Sequence, residues 1–174
     1  MVTDINERAK KIKLLILDVD GVLTDGKFYY GNYGDELKAF DMQDGFGITL
    51  LMCAGIKVII ITAGASKVVI RRAKHLRITK VYQKSFRKLE TYEKVLKKFK
   101  VKDEEIAYIG DDLIDLPILR RVGFAICVLN AREELKSVAQ YITARRGGEG
   151  AVREVAELLL KSQGKWDSVT RRYF

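Results

Sequence analysis

The sequence predicts an α/β fold, a Rossmann-like three-layer arrangement in which a parallel sheet is covered by helices on both faces. Short runs rich in Ile, Val and Leu, each bounded by polar or Gly residues, alternate with helix-length segments. That alternation is the sequence form of strands buried on both faces and joined by helical crossovers. One stretch departs from it, where two short strand-like runs flank Gly31-Asn32-Tyr33-Gly34, the chemistry of a β-hairpin.

Taken in order, the strands are expected at residues 13–17, 58–61, 80–82, 107–109, 124–128 and 141–142. Helical patterns are expected at 45–54, 66–75, 88–99, 113–121, 133–138 and 150–161. The hairpin, with strands at 27–30 and 36–40, reads as a projecting flap spanning about 25–41. The tail, 164–174, has no clear period and is expected either to be mobile or to dock on a partner. With 174 residues, one Pro and no Ser/Gly-rich divider, the chain is expected to form a single domain over 1–174.

Composition narrows the function classes. Apolar residues at 48% and charged residues at 32% argue against disorder or a fibrous repeat. The segment 1–13 is polar and has no apolar run of the secretory kind, and no apolar stretch approaches the roughly 20 residues needed to cross a bilayer. A cytoplasmic protein without membrane attachment is expected. Cys53 and Cys127 sit inside apolar segments with no metal-like spacing, so both read as buried free thiols. The net charge of +9 admits nucleic acid, an acidic surface or small anions as partners. In 88–99, however, Leu89, Val95, Leu96 and Phe99 form an apolar stripe with Lys94, Lys97 and Lys98 mostly off it, as on a solvated helix face. With no basic stripe interleaved with exposed aromatics, no nucleic-acid partner is expected. His75, the sole histidine, lies in a basic helix far from every acidic motif and is expected at the surface.

Ligands in open α/β sheets collect at the carboxyl ends of the strands. The first strand ends in Asp18-Val19-Asp20-Gly21, the second in Thr62, Lys88 opens a helix after the third, and the fourth ends in Gly110-Asp111-Asp112-Leu113-Ile114-Asp115. Asp18 and Asp20 can converge around a sharp turn at Gly21, and Asp111 would add a third carboxylate. Three such groups repel one another unless a cation lies among them, and an all-oxygen set suits Mg²⁺. Thr62 and Lys88 then offer a hydroxyl donor and a fixed positive charge for phosphate oxygens. An attacking Asp18 carboxylate, with Asp20 giving a proton to the leaving alkoxide and recovering one from water, would complete a phosphoryl transfer through an aspartyl-phosphate.

DVDGVLTDG, a strand-final Thr, a downstream Lys and GDDLIDLP, in this order, resemble the haloacid dehalogenase superfamily over nearly the whole chain. The LTDG continuation, a short hairpin in place of a large cap, the YQ…K segment and GGEGAVREV are similar to the capless 3-deoxy-D-manno-octulosonate 8-phosphate phosphatases of lipopolysaccharide sugar synthesis. The resemblance implies Asp18 as nucleophile and Asp20 as acid/base. It implies Mg²⁺ held by the side chains of Asp18 and Asp111 and the backbone carbonyl of Asp20. Thr62 and Lys88 would bind phosphate, Ala63 and Gly64 would lie on the substrate side, and Asp112 or Asp115 would orient the metal's waters and Lys88. It also implies a homotetramer in which the hairpin and tail of one subunit help close the site of the next.

Where the family reads threonine, glycine, arginine, this chain has Thr62-Ala63-Gly64, so a charge-assisted contact to an anionic substrate is missing at its usual place. A different sugar acid phosphate, such as a nine-carbon ketosugar phosphate, is the alternative this leaves. Gly147, Gly148 and Gly150 precede a helix and could form an anion-binding start with Arg145, Arg146 or Arg153, or a plain connector; the resemblance favours a substrate-side loop. Trp166, Tyr173 and Phe174 read either as anchors of a docked tail or as unpacked terminal aromatics. A phosphorelay receiver domain, which also carries a phosphorylated Asp, is disfavoured because its Asp follows a middle strand of the chain and not the first.

Overall fold

The computed structural model describes residues 2–174, with side chains from residue 5 onward. Six strands form one parallel sheet in the order β5-β4-β1-β6-β7-β8, from β1 (Leu14–Leu17), β4 (Lys57–Ile61), β5 (Lys80–Tyr82), β6 (Ile106–Gly110), β7 (Phe124–Cys127) and β8 (Tyr141–Ile142). All four residues of β1 are fully buried, as are those of β7. Strands covered on both faces have no solvent side to alternate toward, which is why LLIL and FAIC are uninterrupted apolar runs.

Eight helices accompany the sheet among the described residues. α1 (Val2–Lys11), α2 (Met42–Cys53) and α7 (Ala151–Ser162) pack together, while α4 (Lys88–Phe99), α5 (Leu116–Leu119) and α6 (Glu133–Lys136) form a second packed group. α3 (Lys67–His75) links β4 to β5, and α8 (Trp166–Thr170) lies against α2 and α7. Local signals set the starts: Asp41 caps α2 by accepting the Asp44 N–H at 2.8 Å, and Ser66 caps α3 by accepting from Val69. On α4, Val95 is buried while Lys94, Lys97 and Lys98 are exposed, so the lysines there form a solvated face. His75 is likewise exposed.

The flap is a two-stranded antiparallel ribbon, β2 (Tyr29–Tyr30) and β3 (Glu36–Leu37), shorter than the sequence pattern suggests. The predicted helix over 113–121 splits into a 3₁₀ turn at Leu113–Asp115 followed by α5, because Asp115 turns its carboxylate back to accept the backbone N–H groups of Asp111 and Asp112.

The segment 164–174, which shows no clear period in the sequence, carries regular structure, with α8 and a 3₁₀ turn at Arg171–Tyr173. α8 seats the half-buried Trp166 ring beneath the Arg153 guanidinium and Lys161 ammonium, 5.5 and 4.9 Å from its centroid. Tyr173 meets Phe46 edge-on at 5.4 Å, and Phe174 is fully exposed. One expectation needs correction: Cys53 is exposed at the end of α2, whereas Cys127 is buried in β7. Among the described residues no helix is long and apolar enough to cross a membrane.

Candidate active site

β1 is flanked by β4 on one side and β6 on the other, so the chain runs outward in one direction from β1 and later returns to its other edge. A crevice opens at such a reversal, at the carboxyl ends of the strands. Asp18 follows β1 directly and stays in sheet register, its N–H donating to the Ile109 carbonyl at 3.1 Å. The next residues turn tightly, with the N–H groups of Val22, Leu23 and Thr24 all directed at the Val19 carbonyl. Gly21 sits at φ +86°, and a Cβ there would fall 2.0 Å from Asp111 Oδ2. Only a hydrogen fits between the turn and that carboxylate.

The glycine-rich loop before α7 backs the same turn. A Cβ on Gly147 would lie 1.6 Å from the Gly21 carbonyl oxygen. Gly147 donates to Asn130 Oδ1 at 2.7 Å, and Gly148 donates to the Val22 carbonyl at 3.0 Å. The start of α7 is also occupied, since the buried Asp44 accepts the Arg153 N–H at 2.7 Å. The loop thus packs against the acidic turn, and the start of α7 already has a carboxylate of its own chain as partner. Burial pushes the Asp44 carboxyl up to about 6 even though backbone N–H groups favour its ionised form.

Three carboxylates meet in the crevice. Asp18, Asp111 and Asp115 each bring an oxygen within 4.8 Å of the others. Their oxygens differ in what they already hold. Asp115 is fully committed: Oδ1 accepts from Lys88 Nζ at 2.5 Å and from the Tyr108 hydroxyl, and Oδ2 accepts from the Asp111 and Asp112 N–H groups. Asp18 Oδ1 accepts the Val19 N–H at 2.7 Å, and its Oδ2 faces Lys88 Nζ at 2.7 Å. Asp111 Oδ1 is buried with no hydrogen-bond partner. A buried carboxylate oxygen without a donor is costly, and one beside a second carboxylate more so. The oxygen chemistry fits a hard divalent cation between Asp18 and Asp111, with Asp115 serving as the anchor for Lys88.

Electrostatics point the same way. Burial, with Asp115 nearby, pushes the Asp18 carboxyl up to about 7 against the pull of Lys88. Burial and the Asp18 charge push Asp111 up to about 8. Burial works against the Lys88 ammonium, but Asp18 and Asp115 outweigh it and hold its pKa above the ordinary value.

The remaining predicted residues line the same cavity of about 240 Å³, which includes Asp18, Asp20, Thr62, Lys88 and Asp111. Ala63, Gly64 and Asp112 also face it. Thr62 is fixed at the end of β4 by its N–H to the Tyr82 carbonyl, and its hydroxyl oxygen accepts the Gly64 N–H at 3.3 Å. Asp112 is exposed and caps the 3₁₀ turn through the Leu113 N–H. A larger cleft of about 420 Å³, among Lys10, Lys13, Ile56 and Glu105, lies by the amino ends of the strands and brings none of these residues together.

Three residues at the site escape a reading by motif. Tyr108 sits in the apolar run of β6 and reads as core, yet its hydroxyl bonds Asp115. Asn130 follows β7 in a loop without pattern. Lys38 reads as one more surface lysine, although its side chain is 1% exposed and pairs with Asp20. The period-2 spacing of Glu36 and Lys38 was the available signal that both face the same side of the ribbon.

The raised carboxyls carry a pH prediction for the metal-free protein. Asp18 and Asp111 bind protons more tightly folded than unfolded, so stability is expected to fall as pH rises from about 4 through about 8. Mg²⁺ competes with those protons, and its gain in Tm should be larger at pH 8 than at pH 5.5. Thermal melts with EDTA or Mg²⁺ at both pH values check this, and an equal gain at the two would contradict it.

The family model for haloacid dehalogenase-like hydrolases matches residues 51–155. The 3-deoxy-D-manno-octulosonate 8-phosphate phosphatase KdsC of Escherichia coli (strain K12) is 48% identical over 164 residues, covering 94% of this chain and 87% of that protein. A crystal structure of the 3-deoxy-D-manno-octulosonate 8-phosphate phosphatase from Moraxella catarrhalis, in complex with a magnesium ion, a phosphate ion and a KDO molecule, superposes with a TM-score of 0.98 at 44% identity and covers all of both chains. A probable phosphatase from Pseudomonas syringae pv. phaseolica gives 0.96 at 43% identity over 98% of this chain and 97% of that one. The acidic turn after β1, the Asp111 strand end and the short ribbon in place of a cap thus belong to a chain that is a haloacid dehalogenase-like hydrolase of the 3-deoxy-D-manno-octulosonate 8-phosphate phosphatase family.

Proposed function

We propose that this protein is a Mg²⁺-dependent phosphomonoesterase that hydrolyses 3-deoxy-D-manno-octulosonate 8-phosphate to the free sugar acid and phosphate, with Asp18 as nucleophile. The observation that carries the reading is the pairing of a lysine-held Asp18 oxygen with the partnerless Asp111 oxygen in one cavity. Held by the side chains of Asp18 and Asp111 and the carbonyl of Asp20, Mg²⁺ would supply the charge neutralisation that lets ionised carboxylates and a phosphate dianion share the cavity.

The chain's own groups do the rest. Asp18 forms a bond to phosphorus as the ester P–O bond breaks, and Asp20 gives its proton to the departing sugar oxygen. Asp20 then takes a proton from the water that cleaves the aspartyl-phosphate, returning both residues to their starting forms. Lys88, fixed by Asp115, keeps Asp18 oriented and adds positive charge near the phosphate. Thr62 accepts from Gly64, which leaves its own hydroxyl proton free to donate to a phosphate oxygen.

At the position of the family's arginine, Gly64 leaves open space: a Cβ there would meet nothing closer than Asp20 Oδ2 at 3.6 Å. With no arginine there, a nine-carbon ketosugar phosphate is the second substrate reading. The flap also supports a homotetramer with shared sites, because it exposes Tyr30, Tyr33 and Leu37, an apolar surface that a neighbouring subunit would cover.

Phosphate release from a panel of sugar phosphates, with and without Mg²⁺, tests the reading. The eight-carbon acid phosphate should give the highest kcat/KM, dependent on Mg²⁺. Asp18→Asn, still folded, should lose at least about 10³-fold in kcat. Wild-type turnover by that variant would contradict the mechanism. Light scattering should return four times the chain mass of 19.8 kDa, and a monomer would refute the shared-site arrangement.

A further inference from the structure

Asp20 is not held by its own loop. One of its oxygens, Oδ1, is taken by Lys38 Nζ, which arrives from just beyond β3 of the flap. The same ammonium stands 3.6 Å from the centroid of the Phe28 ring and 3.4 Å from Glu36 Oε1. Its side chain is 1% exposed, although it belongs to a surface ribbon whose neighbouring residues Leu37 and Ala39 are exposed. A lysine that only fastened a hairpin could do so from solvent, keeping its hydration. Here the ammonium is dehydrated and closed in by an aromatic face and two carboxylates, an arrangement that costs free energy unless the ion pairs are well formed.

The pairing is selective between the two Asp20 oxygens. With Oδ1 occupied, Oδ2 is the oxygen turned toward Gly64, in the cavity where Asp18, Thr62 and Lys88 converge. We infer that Lys38 is a positioning residue: by holding Oδ1 of Asp20 it aims Oδ2 at the ester oxygen, so that the flap sets the geometry of proton transfer. The inference rests on Asp20 being the acid/base group, and it deepens that reading by giving the ribbon a part in the chemistry. Glu36 gives the ammonium a second carboxylate, and the Phe28 ring covers one approach to it.

A double-mutant cycle on the full-length protein with Mg²⁺ and 3-deoxy-D-manno-octulosonate 8-phosphate tests it. Asp20→Asn alone should lower kcat by about 10²- to 10⁴-fold. Lys38→Met alone should lower kcat by about 10- to 100-fold with KM changed less than about threefold, the signature of a misaimed group and not of lost binding. In the Asp20→Asn background Lys38→Met should cost nothing further, because there is no longer a proton donor to aim. Lys38→Arg should recover part of the loss. Equal losses in both backgrounds would show that Lys38 only shapes the flap and would overturn the inference, as would an unchanged kcat in the single variant. Wild-type turnover by Asp20→Asn would instead remove the acid/base assignment itself. Should Lys38→Met not fold, Lys38→Gln runs the same cycle with a neutral polar side chain.

Discussion

Two carboxylates, Asp18 and Asp111, are brought together with little water around them at the ends of adjacent parallel strands, and the architecture near the crevice follows from making that proximity tolerable. Parallel pairing of β1 with β6 fixes the strand ends side by side, through Leu17 opposite Ile109. Left alone, the pair would hold protons well into the neutral range, because both are buried, with Asp115 beside Asp18 and the Asp18 charge beside Asp111. A cation between them would reverse that preference, and the same cation would serve the proposed phosphoryl transfer. In that reading one placement meets the need for a metal and the need for a reactive carboxylate.

The surrounding residues keep that placement from relaxing. Asp115 accepts two backbone N–H groups from its own loop and a bond from Tyr108, so its position is over-determined before it ever meets Lys88. Lys88 in turn is held by Asp115 and presented to Asp18. The acidic turn is packed so closely that glycine is required on both of its sides, at Gly21 against Asp111 and at Gly147 against the turn itself. Tight packing of this kind leaves few alternative arrangements for the charged groups, which is what preorganisation means in structural terms.

Much of this could be read in the chain. β1, β4 and β6 announce themselves as apolar runs because they are buried on both faces, and the polar residues that end them fall at the crevice as the topology demands. What could not be read depends on contacts distant in sequence. Tyr108 looks like any strand aromatic until its hydroxyl is seen to reach Asp115. Lys38 lies 18 residues from Asp20, and no local pattern reveals that the ribbon folds back over the turn. α8 has no legible signal because five residues show too little period, and its docking depends on Trp166 meeting cations from α7. Cys53 sits in an apolar run but faces outward at the last turn of α2, where the helix period and not the local composition decides exposure.

The location of the bound ion tests the central claim most directly. In crystals grown with Mn²⁺ in place of Mg²⁺, the anomalous signal should place a single ion in the crevice, within roughly 2.1 Å of one Asp18 oxygen and one Asp111 oxygen. An ion bound elsewhere, or a crevice that stays empty at saturating Mn²⁺, would contradict the account.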